Sequence, residues 1–393
     1  MNRRHFITLS AGIGTASSAL THAQGSEAAQ ATLAASQPVL MAPREDSISV
    51  VWRTTNRAKG YVEYGTAPDK LDQRADGDHW GMRPSGEKHL KVKLQQLTPN
   101  TRYYFRAITE RYDRKNPTVE IGEVRSFNTL SSNNPTCHFS IWNDTHKKEE
   151  TLKALFKNTP KDTEFMLWNG DISNDWHQAD DIPNSVLSPA GQTFPFPIIP
   201  LRGNHDLRGS YAGDFHDFVS SPEDLPWSAF RVGPVAVICL DTGEDKDDDH
   251  PNLHGRVSCH DMRVAQAKWL EHLTEQPAFK NAPYRLVCCH IPLRWKDETT
   301  DHGYDWFSER SRKLWHDSLC KWGAQVVISG HTHRPALIPA NDSFPYAQLV
   351  GGGPQLDRAT IISCTADTNK LQLHSQSLMG KTIHSLELSP LQT

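Results

Sequence analysis

The sequence is poor in charge of one sign, in suitably spaced cysteine and in long apolar runs. Its 393 residues carry a formal net charge of only −4. That argues against a surface built to gather nucleic-acid polymers or anionic lipid. The most continuous small-apolar stretch, Thr8 to Leu20, falls short of the roughly 20 residues a spanning helix needs, so no membrane span is expected in the mature chain. The seven cysteines (137, 239, 259, 288, 289, 320 and 364) include no Cys-x-x-Cys pair, which removes the usual zinc-ribbon spacing. Cys239, Cys288 and Cys289 sit inside apolar runs and read as small buried hydrophobes. There is no internal repeat. What the chain does have is length enough for two or three domains, a globular balance of apolar and charged residues, and 20 histidines.

Residues 1–23 have the order of an export signal: a twin-arginine-like Arg3-Arg4-His5-Phe6-Ile7, a moderately apolar stretch, then Thr21-His22-Ala23 as a small-residue cleavage site. The expectation is a periplasmic or secreted protein. Residues 24–36, rich in Ala, Ser and Gln, read as a linker. From 37 to 130 short alternating strands recur (Ser47–Trp52, Gly60–Gly65, Leu90–Leu94, Tyr103–Ile108, Val124–Phe127), the spacing of an all-β sandwich. Within it, Leu97-Thr98-Pro99-Asn100-Thr101-Arg102-Tyr103-Tyr104 resembles the late-strand signature of fibronectin type III-like modules. It is also similar to the amino-terminal domain of purple acid phosphatases.

From 131 to 393 the pattern changes to an α/β domain. Apolar strands at Cys137–Trp142, Glu164–Trp168, Phe196–Leu201, Val235–Leu240, Arg285–Cys289 and Gln325–Ser329 alternate with helical patterns at Lys148–Asn158, Met262–Gln276 and Ser308–Trp322. A tail of β alternation from Tyr346 to Leu388 is expected to form a second sheet on the first, making a four-layer αββα body. The run Asp245-Lys246-Asp247-Asp248-Asp249 reads as a solvated loop.

Polar turns follow the apolar runs: Asn143-Asp144-Thr145-His146, Asn169-Gly170-Asp171, Leu201-Arg202-Gly203-Asn204-His205-Asp206, Cys289-His290 and Gly330-His331-Thr332-His333. Loops at the carboxyl ends of strands in an open α/β sheet share one rim, where ligands bind. Asp144, His146, Asp171, Asn204, His290, His331 and His333 together offer carboxylate, imidazole and amide donors. That mixture suits zinc, manganese or iron. Seven donors are too many for one ion and fit two that share a carboxylate, an arrangement used for phosphoester hydrolysis.

Taken in order, Asp-x-His, Gly-Asp-x-x-x-Asp, Gly-Asn-His-Asp, a strand-end His and Gly-His-x-His, across about residues 137–355, resemble the calcineurin-like metallophosphoesterase family. The resemblance implies Asp144, His146, Asp171 and His333 on one metal and Asp171, Asn204, His290 and His331 on the other, with Asp171 bridging. Two divalent or mixed-valence ions are the implied cofactors, and a small-molecule phosphoester the implied partner. His205, beside the ligand Asn204, is the candidate general acid, with Asp206 fixing its tautomer. Arg202 and Arg294 adjoin ligands and are candidate phosphate clamps, and His254 is a candidate substrate contact on the same rim. Trp142, Trp168 and Trp295 are expected to pack in the core. Purple acid phosphatases place a tyrosinate where this chain has Asn174, and a Gly where it has His146. The expectation is a colourless divalent centre rather than a purple one.

The resulting expectation is an exported dimetal phosphomonoesterase in which a metal-bound hydroxide attacks phosphorus in line and His205 assists the leaving group. A phosphodiesterase acting on nucleotide or lipid-derived esters is the alternative, and a non-catalytic surface-binding protein is the contrasting class. The insertions Ser173–Thr193 and Gly243–His260 are expected to shape the substrate pocket.

Overall fold

Alternating apolar strands and amphipathic helices leave each sheet with two faces to bury, and the chain does so by stacking two sheets and covering each with helices. The computed structural model describes residues 32–77, 81–111, 115, 118–295 and 305–392. The proposed signal, and the linker up to residue 31, lie outside these. The strands Cys137–Trp142, Met166–Asn169 and Ile198–Leu201 run parallel, with Ser140 opposite Met166 and Trp168 opposite Pro200. A second sheet is ordered Ser228–Val232, Val235–Leu240, Tyr284–Cys289, Val326–Ser329, Ala347–Val350, Ala336–Ile338, and its four middle strands are parallel.

Alternation along the strands divides each side chain set between two layers. Phe139, Ile141, Leu167 and Ile199 meet Val237, Cys239, Leu286, Cys288 and Ile328 between the sheets. On the outer face of the first sheet Trp142, Met166 and Trp168 pack against Leu152, Leu155, Ile182 and Val186 from helices Glu149–Asn158 and Asp181–Leu187. On the outer face of the second, Ile238, Leu240, Val287 and Val327 meet Leu270, Leu273, Trp315 and Leu319 from helices Cys259–Leu273 and Asp305–Trp322. The expected αββα layering is therefore present. Trp142 and Trp168 are fully buried, as expected, each donating its indole N–H to a threonine hydroxyl (Thr159 and Thr145).

One expectation about the layers is corrected. The carboxyl-terminal tail does not make the second sheet by itself: it gives that sheet one strand, Ala347–Val350, while Thr360–Ala366, Leu371–Ser377 and Thr382–Leu388 add to the first, antiparallel beside Cys137–Trp142. Period-2 alternation identified the strands. It holds no information about which edge they join. The same first sheet continues at its other edge, through Met41 opposite Ile198, into Val39–Met41, Ile48–Arg53 and His89–Leu94. These three strands face a second β layer built on Ala58–Gly65 and Arg102–Arg111. The sandwich thus shares a hydrogen-bonded sheet with the α/β body. Its Tyr103 hydroxyl accepts from the Thr98 backbone N–H (3.0 Å), the local tie expected of a tyrosine corner.

The seven cysteines are all free; burial pushes the Cys239 thiol up and lifts Cys289 to about 12, so both behave as apolar groups. No helix among the described residues is long and apolar enough to cross a membrane.

Candidate metal centre

Every polar turn singled out from the sequence leaves the carboxyl end of a strand, and the two stacked sheets bring those ends to one rim. Asn169 joins the rim of one sheet to that of the other. Its side-chain amide donates to Asn143 Oδ1 (3.0 Å), to the Cys289 carbonyl (3.1 Å) and, more distantly, to the Ile328 carbonyl (3.4 Å). The first two turns run alongside each other: Asp144 N–H donates to the Gly170 carbonyl and His146 N–H to the Asp171 carbonyl.

Two donor groups result. Asp144, His146, Asp171 and His333 place one donor atom each within 4.8 Å of one another, and Asp171, His290 and His331 do the same. Asp171 belongs to both. Within the first group His146 Nε2 and His333 Nε2 are 3.0 Å apart, and Asp144 Oδ1 is 3.4 Å from His333 Nε2. In the second, His290 Nε2 lies 3.2 Å from Asp171 Oδ2, and Asn204 Oδ1 lies 2.9 Å from His331 Nδ1. His290 Nδ1–H donates to the Asn169 carbonyl (3.0 Å), which aims Nε2 at the centre in the way a ligating imidazole requires.

The backbone is strained at the same place. Asp144, His146, Asp171, His331 and His333 all have positive φ, between 44° and 68°, a region unfavourable to residues with a Cβ. Glycines make room for the ligands. A Cβ on Gly203 would stand 2.2 Å from Asp171 Oδ1, one on Gly330 2.2 Å from Asp144 Oδ2, and one on Gly353 2.4 Å from His333 Cβ. Electrostatics fit a cation site too. Burial opposes ionisation of Asp171, but His290 and His146 outweigh it and hold the carboxyl well below the usual range. Burial would lower His290, yet Asp171 and Asp144 raise it to about 10; burial and the charge of His290 lower His331 to about 4. Two carboxylates, four imidazoles and an amide oxygen, all buried except the half-buried His331 and His333, suit two divalent ions sharing Asp171.

His205 adjoins this cluster, its ring centroid 5.1 Å from that of His146 and its backbone N–H donating to Asp171 Oδ1 (2.9 Å). The expectation for Asp206 is overturned. Its carboxylate does not touch His205; fully buried, it accepts the backbone N–H groups of Gly203 (2.9 Å), Ile172 and Ser173 (3.2 Å each) and so ties the second turn to the third. Burial, then Asp171, raise it to about 7. The imidazole of His205 is oriented instead by the Asn174 carbonyl, which accepts from Nδ1–H (2.8 Å), and by Arg208, whose Nη1 is 3.2 Å from each ring nitrogen.

The two candidate clamps are engaged by other side chains. Arg202 is engaged by Asp241, with Nε and Nη2 each 2.7 Å from Oδ2. Arg294 is only 4% exposed and lies over the Phe344 ring, 4.7 Å from its centroid. The arginine at the site is Arg208. Helix Cys259–Leu273 sets it: Arg263 and Gln266 bind the carbonyls of Thr242, Glu244 and Asp241, and the Glu244 carboxylate so placed takes Arg208 Nε (2.7 Å) and Nη2 (2.5 Å). The acidic run is not merely solvated. Asp245 pairs with Arg208 and Lys246, Asp247 with Arg310, and Asp248 accepts the first N–H groups of the helix. That last contact starts the helix at Cys259, three residues before the expected Met262. Arg208 lies in the sequence two residues beyond Asp206, and its Arg-Gly context gave no sign of its role.

His254 is exposed and lines a cavity of about 430 Å³ together with Asp175, His177, Arg208, Lys246 and Arg256. The cavity draws on both insertions expected to shape a pocket.

A four-layer αββα body with two donor clusters on one rim defines a metallophosphoesterase fold. Residues 138–335 match the model for the calcineurin-like phosphoesterases, and residues 36–129 that for the purple acid phosphatase N-terminal domain. The chain belongs to the calcineurin-like phosphoesterase family. It is 25% identical over 296 residues to purple acid phosphatase 21 of Arabidopsis thaliana, covering 74% of this chain and 63% of that protein. It is 27% identical over 195 residues to the serine/threonine-protein phosphatase CPPED1 of Mus musculus, covering 48% of this chain and 59% of that one. The chain thus spans about 60% of the length of these curated relatives. In solved structures the fold resembles purple acid phosphatase PPD1 from yellow lupin (Lupinus luteus) seeds (TM-score 0.66, 14% identity, 90% of this chain and 74% of that one). It also resembles PhoD (TM-score 0.58, 13% identity, 90% and 88%).

Proposed function

We propose that the protein hydrolyses phosphate monoesters at a dinuclear metal site. One observation carries this reading: two donor clusters share Asp171, and His205 stands beside them without being a member of either. Two divalent ions held there would lower the pKa of water and neutralise the phosphoryl oxygens. The chain's own residues do the rest. Asp171, one oxygen of which accepts the His205 N–H, would be held in place to serve both ions as the residue common to the two clusters. Asn174 holds His205 Nδ1–H, so Nε2 is the nitrogen left to carry a proton to the departing alkoxide. Arg208 adds a cation beside it, with its counterions Glu244 and Asp245 behind. The cavity of about 430 Å³ next to His205 supports a small leaving group over the long groove a polymeric or lipid diester would need. An intact donor set supports catalysis over a silent binding role.

Asn174 in place of a tyrosine supports a colourless divalent pair. Export of the folded protein by a twin-arginine route to the periplasm or beyond is part of the proposal and rests on the order of residues 1–23. The test is hydrolysis of p-nitrophenyl phosphate beside its bis ester, on chelated protein reloaded with manganese, zinc or iron. Faster mono ester turnover that Asp171→Asn abolishes is the expected result. Faster bis ester turnover would replace it with a diesterase.

A further inference from the structure

The cavity beside His205 differs from an ordinary leaving-group cleft in the charge of its walls. Arg208, Lys246 and Arg256 line it, with the imidazoles of His177 and His254, against a single lining carboxylate, Asp175, which lies 3.6 Å from His177 Nε2. The anions that balance Arg208 and Lys246 are not in the wall. Glu244 is fully buried and Asp245 mostly so, and both bind the guanidinium and the ammonium from behind. Arg256 is held by carbonyls, its Nη1 donating to Gly209 O (2.7 Å) and its Nε to Leu253 O (3.2 Å). Carbonyl bonds orient a guanidinium without neutralising it. The volume of about 430 Å³ is in the range of small-ligand sites.

The cavity also starts where the leaving group must go. Arg208, one of its walls, touches both ring nitrogens of His205, and Asp175 follows Asn174, whose carbonyl holds that ring. A leaving group protonated by His205 would extend past Arg208 toward Arg256.

We propose that this cavity is a subsite for a second phosphate, so that the preferred substrates are small bisphosphorylated molecules cleaved at one end while Lys246 and Arg256 hold the other beside Arg208. The proposal rests on the phosphoesterase reading above for which end is cleaved, but the subsite itself is tested by binding alone. A second dianion would gain charge-assisted bonds to the Lys246 ammonium and the Arg256 guanidinium that a neutral tail lacks.

The experiment compares binding of butylphosphonate and butane-1,4-bisphosphonate, neither of which can be hydrolysed, to the metal-loaded full chain by titration calorimetry. The bisphosphonate is expected to bind at least about tenfold more tightly, as one charge-assisted contact or more would give. In Arg256→Gln the two affinities should come within about twofold of each other, and Lys246→Gln should narrow the gap in the same direction, which covers the case of one variant failing to fold. Equal affinities in the unaltered protein would overturn the subsite. So would a preference that persists undiminished in both variants, since it would then come from the metals alone. A second ligand pair, with 4-carboxybutylphosphonate in place of the bisphosphonate, separates phosphate from any carboxylate: comparable tightening would overturn the claim that the subsite is for phosphate. Turnover of the matching esters is read separately. Its absence, with the binding difference intact, would count against the phosphomonoesterase reading and leave the subsite standing.

Discussion

His146 and His333 come from loops on opposite sheets, yet their Nε2 atoms stand 3.0 Å apart, with Asp144 Oδ1 3.4 Å from one and Asp171 Oδ2 3.5 Å from the other. Two imidazole nitrogens at that distance share at most one proton, and burial with the neighbouring imidazoles of His205 and His333 disfavours the cation at His146. A divalent ion held by this group would take up both lone pairs and both carboxylates at once.

Metal removal should loosen the protein measurably. A ligand that binds only the folded chain adds about 4 kcal/mol per site at a thousandfold excess over its Kd. Chelation should lower the melting temperature by several degrees and metal analysis of the loaded protein should give two ions per chain. Asp171→Asn, which removes the shared carboxylate, should retain at most one. A variant that keeps two would show that Asp171 does not bridge.

Replacement of His205 by alanine should slow hydrolysis in proportion to how badly the leaving group needs a proton. General-acid assistance is worth about 10²- to 10⁴-fold. Alkyl phosphates should lose about that much and p-nitrophenyl phosphate far less. A steepened dependence of log kcat on leaving-group pKa is the signature; an equal loss for all esters would make His205 a structural residue.

Metal uptake should release protons. In the metal-free protein Asp171 and Asp144 keep His290 protonated up to about pH 10. A raised folded-state value means this protonation stabilises the metal-free chain fully below its ordinary 6.5, and that contribution is lost as pH rises through about 10. A metal at His290 must displace the proton, so apparent affinity should climb across that window. Calorimetry at pH 7.5 in buffers of different ionisation enthalpy should show about one proton leaving with filling of this site. An unchanged heat between buffers contradicts the prediction.

Gly330→Ala should damage the centre without deleting any donor. Its Cβ would press on Asp144 Oδ2, and Asp144 is already held by the His331 N–H at 2.9 Å and 3.0 Å. Displacing a packed group in this way costs about 1–3 kcal/mol. Metal occupancy at Asp144, His146 and His333 should fall more than global stability does; a fully loaded, fully active variant would show that the carboxylate can shift freely.

The donor residues were legible in the sequence because each follows its own strand by one to a few positions. A strand end fixes where the next residues point, and parallel strands put all such ends on one rim. The αββα layering and the burial of Trp142 and Trp168 followed from periodicity for the same local reason. Other features depended on contacts between residues distant in the chain. Asp206 is adjacent to His205 yet turns inward to Gly203, Ile172 and Ser173, because successive side chains in a tight turn diverge. Arg202 stood out in sequence because it is near Asn204 and Arg208 did not, yet Arg202 turns to Asp241 and it is Arg208 that meets the His205 ring. The last three strands were recognisable as strands, but their sheet was chosen by the free edge of Cys137–Trp142. Sequence by itself determined the donors and the local elements that carry them, since both are set by neighbours in the chain. Which cation, which sheet edge and which cavity complete the site was decided by tertiary structure, because those depend on charges and edges that meet only when the two sheets stack.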